Sequence, residues 1–450
     1  MGRTTVAIDR SDAALAAVAE DFGHVVRGRP LGVIRPTSAR DVARVVEEAN
    51  ASGSRLTVRG TGHSAGGQSL PADSIVMDLS AMNAVGSVDV EALTVRCDAG
   101  ATLRQLVAAT LPHRLLPRPL TNLLDLSVGG LLGIGGGVGP SSHMYGAIAA
   151  NVVAMEVVTG DGALHRCSRS VEPELFQAVL GGLGMCGVIV SANLRLRPVK
   201  PSVRTFYLLY DDLRRWIDDQ RLLADSGVDA LEGFCSAALQ GLRGVGGARV
   251  GFVEWFFPLH VTIEFDERAP ELPDGIAPYR VLTVEDDAIE FIPSRHDARF
   301  ETMRRIGAWD RSHPYVSAFI DRRTLAEVLP AVLDALPLWL GDGYRGGFQF
   351  QRQDAPVQLA LPASEDLAFF SVMYSQVAPE LLPEALAVHA RVAELFTSAG
   401  GKRYLADWMG EVDGDAWRAH FGPAYEGWMK ARQAFDPEGV FTSSLVGDAG

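Results

Sequence analysis

A histidine sits among glycines in the stretch "LTVRGTGHSAGGQSL", residues 56–70, directly behind a strand-like "RLTV". Glycines 60, 62, 66 and 67 let the backbone take positive φ and come close to a ligand. Successive free N–H groups in such a turn form a nest for an anion such as a pyrophosphate. His63 adds nucleophilic ring nitrogens, which can bond covalently to an electrophilic cofactor carbon. The bland alternative is a tight turn carrying a solvated histidine. A second stretch, "DLSVGGLLGIGGGVG", holds glycines 129, 130, 133, 135, 136, 137 and 139, too many for a helix interior. It fails the G-x-G-x-x-G spacing and no strand–helix–strand unit surrounds it, so a plain dinucleotide fold is not indicated. Two such turns about 70 residues apart can clamp one extended cofactor from two sides.

The elements that must hold these turns are readable in part. "PTSARDVARVVEEANASG" predicts a helix capped by Thr37 or Ser38, with Val42, Val45 and Val46 on one face. Strand and helix signals then alternate up to "GVIVSANLRLRPV" (187–199), and Pro198 and Pro201 place a boundary near residue 200. From 201 to 400, strand-like segments such as "GFVEWFFPLHVTIEFDE" and "LAFFSVMYS" alternate with helical "TLAEVLPAVLDAL" and "LPEALAVHARVAELFTSAG". This predicts an α+β domain, an antiparallel sheet with helices on one face.

Composition narrows the function. A chain of 450 residues, 47% apolar, exceeds one simple core. The net charge of −14 argues against nucleic acid or an anionic membrane as partner. No uncharged apolar run is long enough for a membrane span, and the N-terminus lacks a secretory signal. Cys97, Cys167, Cys186 and Cys235 show no metal spacing and fit a reduced cytoplasmic setting. His143, His260 and His313 stand singly, without metal-ligand partners. Only three lysines, Lys200, Lys402 and Lys430, accompany many arginines, a bias of GC-rich bacterial genomes.

The motifs "VRGTGHSAGGQS", "DLSVGGLLGIGGGVG", "YGAIAANVVAMEVVTGDG" and "ELFQAVLGGLGMCGVIVSANLRLRP" resemble, in order and spacing, the FAD-binding (PCMH-type) domain of the vanillyl-alcohol-oxidase superfamily. The nearest likeness is to cytokinin dehydrogenases, then to berberine-bridge-like oxidases, and "VTIEFDE", "RSHPYVSAFIDRRTL", "KRYLADWM" and "FDPEGVF" extend it along most of the chain. The resemblance implies a two-subdomain FAD-binding domain over 1–200, a substrate domain over 201–400 and a segment over 401–450 that returns to the FAD domain. It implies FAD joined through His63, with no cysteine beside Leu123-Leu124-Asp125 for a second bond. Arg59, Gly60, Thr61, Gly62, Ser64 and Gln68 match the pyrophosphate turn, and Ser127, Gly129, Gly130, Gly133 and Gly136 the second wall. Val188 matches the adenine side, Tyr404 the active-site end, and Thr442 replaces a serine of the tail, with Leu445 where a glutamine stood.

Such enzymes pass a hydride from a carbon bearing nitrogen or oxygen to flavin N5. Where cytokinin dehydrogenases have an aspartate, this chain has Asn122, which cannot act as a base. Asp125 lies three residues on. Glu264 matches a glutamate near the family's substrate entrance and shares a strand face with Asp266, opposite Glu267. The expectation is an oxidase or dehydrogenase for a small amine or alcohol, using oxygen or another acceptor, in bacterial secondary metabolism. A redox-neutral cyclase or isomerase, and a flavin binder without turnover, are the alternatives that Asn122 keeps open.

Overall fold

The computed structural model describes residues 7–337, 344–353, 357–410 and 412–446. Helix Ala39–Ser52 forms as its spacing predicts. Val42, Val45, Val46 and Ala49 are buried on one face, the Ser38 hydroxyl accepts the Asp41 N–H, and Gly53 closes the helix at φ +66°. Strand Leu56–Arg59 follows and pairs in parallel with Ala72–Asp78, which pairs in parallel with Arg29–Ile34. A six-stranded antiparallel sheet comes next, with Val188–Pro198 paired to Thr94–Asp98, Val152–Val158 and Leu115–Pro117. These two sheets use residues up to Pro198; a nine-stranded sheet begins at Ser202 and ends with Lys402–Arg403.

Ladders in the large sheet are antiparallel, and two-residue alternation sorts its side chains. Along Tyr315–Asp321, Val316, Ala318 and Ile320 join the core beneath helices Arg322–Ala335 and Leu382–Ser398. Phe319 takes the opposite face with Phe348, Phe350 and Phe369. That second face meets Tyr404 and covers the cavity described below. Pro258 lies inside the 18-residue strand Ala248–Phe265, where a missing N–H would weaken a ladder. It falls where one neighbour, Ala230–Phe234, stops pairing at Leu259 and the next, Ser236–Val245, starts at Phe256.

The last segment returns to the first sheet. Leu56 N–H donates to the Val440 carbonyl at 2.8 Å, and Thr442 N–H to the Leu56 carbonyl at 2.9 Å. Trp417, Phe421 and Trp428 are buried in the N-terminal core. Among the described residues, no helix is long and apolar enough to cross a membrane.

Candidate active site

The two glycine-rich stretches meet. Thr61 N–H donates to the Ser127 hydroxyl at 3.3 Å, and Ser127 N–H to the Thr61 hydroxyl at 3.4 Å. The approach needs glycine: a Cβ on Gly60 would collide with Ser127, and Gly62, at φ +67°, lies against the Arg59 guanidinium. Gln68 ties the loop to the C-terminal segment, donating to the Leu405 and Asp407 carbonyls at 2.7 Å each. Asp21 accepts the Gly67 N–H and the Ser64 hydroxyl. The amides of Gly62, His63 and Ser64 have no acceptor among the described residues, so they are left to bind an anion.

His63 is stacked on Phe22 with ring centroids 3.9 Å apart, and His313 stacks on Phe22 at 4.3 Å. Burial, with His313 and Arg304 nearby, lowers the His63 pKa to about 3 despite the opposing Asp125 charge. The imidazole is therefore neutral at pH 7, and neither ring nitrogen has a hydrogen-bond partner among the described residues. A neutral imidazole with a free lone pair is the nucleophilic form.

Beside His63 opens a cavity of about 320 Å³. Its walls are the histidine loop, the glycines after Ser127, Gly187 and Ile189, and the aromatic underside of the large sheet. Gly133 and Gly184 line it, and a Cβ on Gly133 would point into open space. Bare backbone on one side and aromatic rings on the other fit a flat conjugated ring. Tyr404 lines the cavity and its hydroxyl accepts the Gly137 N–H at 3.0 Å. Gly136 lies behind it, where a Cβ would strike the Tyr404 hydroxyl.

The polar end of the cavity was not visible in the sequence. Glu232, on strand Ala230–Phe234, accepts the Asn122 side-chain N–H at 2.5 Å, and an Arg295 N–H at 3.0 Å. His296 Nε2 lies 3.3 Å from the same carboxylate. Burial alone would raise the Glu232 pKa; the Arg295 charge and the His296 hydrogen bond outweigh it and bring it to about 2. Glu232 and His296 both line the cavity, as does Asp407. Burial raises the Asp407 pKa to about 6 against the pull of Ser317 and Arg403. The only sequence signal for Glu232 is a lone acid in the apolar run "ALEGFC".

Residues 30–168 match the family described as FAD binding domain, and residues 280–444 match that described as cytokinin dehydrogenase 1, FAD and cytokinin binding. An oxidoreductase encoded as ORF5 in the fasciation locus of Rhodococcoides fascians is 30% identical over 440 residues, covering 95% of each chain. The chain belongs to the FAD-dependent, cytokinin-dehydrogenase-like oxidoreductases. Cytokinin dehydrogenase 10 of Oryza sativa subsp. japonica is 28% identical, covering 95% of this chain and 86% of its own. Cytokinin dehydrogenase 2 of Arabidopsis thaliana is 26% identical, covering 94% and 90%.

Several residues expected to act in this cytokinin-dehydrogenase-like oxidoreductase stand elsewhere. Glu264 does not line the main cavity. It is 5% exposed, paired with Arg197 at 2.7 Å, and accepts the Lys200 N–H, beside a smaller chamber of about 60 Å³. Glu264→Gln is expected to lower folding stability by about 3 kcal/mol, because Arg197 loses its buried counter-charge. Turnover per folded molecule should hold. Denaturant titration checks this; lost turnover at unchanged stability would restore a substrate role. Asp125 is paired with Arg104 at 2.6 Å and Arg304 at 3.4 Å, so it does not replace the missing base. The Arg59 side chain runs behind the loop to the Glu20 carbonyl. Val188 points into the core because alternation gives the cavity to Gly187 and Ile189. Thr442 is held under strand Leu56–Arg59, its carbonyl accepting the Thr57 hydroxyl. His143 bonds to the Val228 and Pro140 carbonyls, and no described group of three His, Cys, Asp or Glu side chains is arranged to hold a metal.

Proposed function

We propose that the enzyme oxidises a C–N or C–O bond of a small organic molecule, in the manner of a cytokinin dehydrogenase, with FAD joined through His63. When bound, FAD supplies N5 as the hydride acceptor. The single observation that carries this reading is the shape of the cavity: aromatic and glycine walls along its length, and the Asn122–Glu232–Arg295–His296 cluster at one end. The walls exclude water and hold a planar ring. The cluster orients the substrate, because the Asn122 carbonyl oxygen has no partner among the described residues and can accept an N–H or O–H. The unpaired amides of Gly62, His63 and Ser64 would hold the pyrophosphate, and Gly130, Gly133 and Ser127 would support the ring system from below.

We place the reaction in bacterial secondary metabolism, from the arginine bias, and in the cytoplasm, from four free buried thiols. The electrons then pass to molecular oxygen or another acceptor. The redox-neutral cyclase or isomerase reading drew on the loss of an acid at Asn122; the Glu232 carboxylate bonded to Asn122 supports the oxidative reading instead. Anaerobic mixing of the purified enzyme with N6-isopentenyladenine, other secondary amines and primary alcohols tests the proposal. Bleaching of the visible flavin band by one class supports oxidation. Product formed with neither bleaching nor oxygen use would sink it in favour of an isomerase.

A further inference from the structure

Asn122 and His296 line both the main cavity and the smaller chamber, so they form part of the wall between the two. His296 precedes helix Asp297–Arg305, and its side chain is about one-fifth exposed. Its Nε2 lies 3.3 Å from the Glu232 carboxylate and 3.3 Å from Arg295 Nε, so it either donates to the first or accepts from the second; in the tautomer that donates to Glu232, the Nδ1 lone pair has no partner among the described residues. Oxidising an amine or alcohol removes one hydride and one proton, and the proton needs an acceptor. Asn122 is an amide and cannot take it. Glu232 already receives Asn122, Arg295 and His296 on its two oxygens. Asp407 is 1% exposed and bonded to Ser317 in the sheet wall. His296 is the remaining base with a free lone pair at the polar end.

Resting on the oxidative reading above, we propose that His296, oriented by Glu232, accepts the substrate's N–H or O–H proton. With the tautomer that carries its proton on Nε2, toward Glu232 rather than accepting from Arg295, the substrate's N–H or O–H bond breaks and an Nδ1–H bond forms, and the Nε2–H remains directed at Glu232. The C–H electron pair leaves as hydride to the oxidised FAD of the proposed reaction, so the substrate loses two electrons and FAD gains them. The carboxylate stabilises the imidazolium, as in other carboxylate–histidine pairs. The imidazolium then loses its proton to solvent. Charged and titratable groups around His296 are Glu232, Arg295, His260 and Arg299, with Arg197, Asp229 and Glu264 across the side chamber.

The test measures anaerobic flavin reduction by N6-isopentenyladenine across pH, for wild type, His296→Gln and Glu232→Gln. Flavin content and the dissociation constant of adenine, read from the flavin band, are measured beside it. His296→Gln should slow reduction about a hundredfold and abolish the fall of rate at low pH, with flavin content and adenine binding unchanged. Glu232→Gln should slow it in the same direction. A wild-type rate in His296→Gln, a surviving low-pH limb, or slow reduction explained by lost adenine binding would each overturn the proposal. A wild-type flavin that stays oxidised with every amine and alcohol tried would overturn the oxidative reading itself, and this proposal with it.

Discussion

His63→Ala is expected to abolish the proposed covalent attachment of FAD while leaving the fold intact. The argument starts from the loop. His63 is part of a turn whose neighbours are fixed by Ser127, Asp21 and Gln68, none of which bonds to the imidazole. Removing the ring therefore breaks no hydrogen bond. It leaves a gap against Phe22, whose other contacts include His313 and Trp309, so the loss in stability should be about 1 to 2 kcal/mol. The chemical effect is much larger. A neutral imidazole with a free lone pair in the cavity wall is the only histidine among the cavity-lining residues besides His296. Without it no imidazole stands at that edge, and FAD would be held by contacts alone. Precipitating the variant with acid should release its flavin into the supernatant, where the wild type keeps its colour in the pellet. Acid-stable flavin in the variant would refute the linkage.

The second large effect is acid lability between about pH 6.5 and 4. Burial lowers the pKa of His63 to about 3, of His260, His313, His389 and His420 to about 4, and lowers that of His143 as well. Each has a folded pKa below its unfolded value near 6.5, so the unfolded chain takes up protons that the folded chain refuses. Stability from these groups is present above pH 6.5 and is lost as pH falls toward the folded values. Asp21, Asp407, Glu264 and Asp436 act the other way. Burial raises Asp21 and Asp407 to about 6 and raises Glu264 and Asp436 as well, so as pH falls from about 6 toward 4 the folded chain holds protons that the unfolded chain has released. Six histidines against these four leave a net uptake on unfolding, and each net proton steepens the loss by about 1.4 kcal/mol per pH unit. Urea denaturation midpoints at fixed ionic strength should fall steadily from pH 6.5 to 4.5. A flat or rising midpoint would mean that the imidazoles are charged in the folded protein.

Local periodicity made much of the frame legible. Val42, Val45 and Val46 announce their helix because three valines at helical spacing can share one buried face. The strand-like runs "GFVEWFFPLHVTIEFDE" and "LAFFSVMYS" announce strands of the large sheet. The turn around His63 was legible because four glycines around a histidine have few structural uses. Side-chain direction at the site was less so. Alternation says that Glu264 and Glu232 each occupy one face of a strand, but not what covers that face. Arg197 and Lys200, from the end of the preceding sheet, cover Glu264, whereas Asn122, 110 residues upstream, meets Glu232. Contacts of that sequence separation leave no periodic trace. Matching Val188 by position missed for a related reason: a one-residue shift along a strand exchanges the cavity face for the core.

The most direct test is a crystal structure of the enzyme as purified, without added cofactor. The account predicts density for FAD in the 320 Å³ cavity, continuous with the His63 imidazole and with its substrate face toward Asn122, Glu232 and His296. A flavin bound elsewhere, or one in the cavity with no bond to His63 and its reactive edge turned away from that cluster, would contradict it.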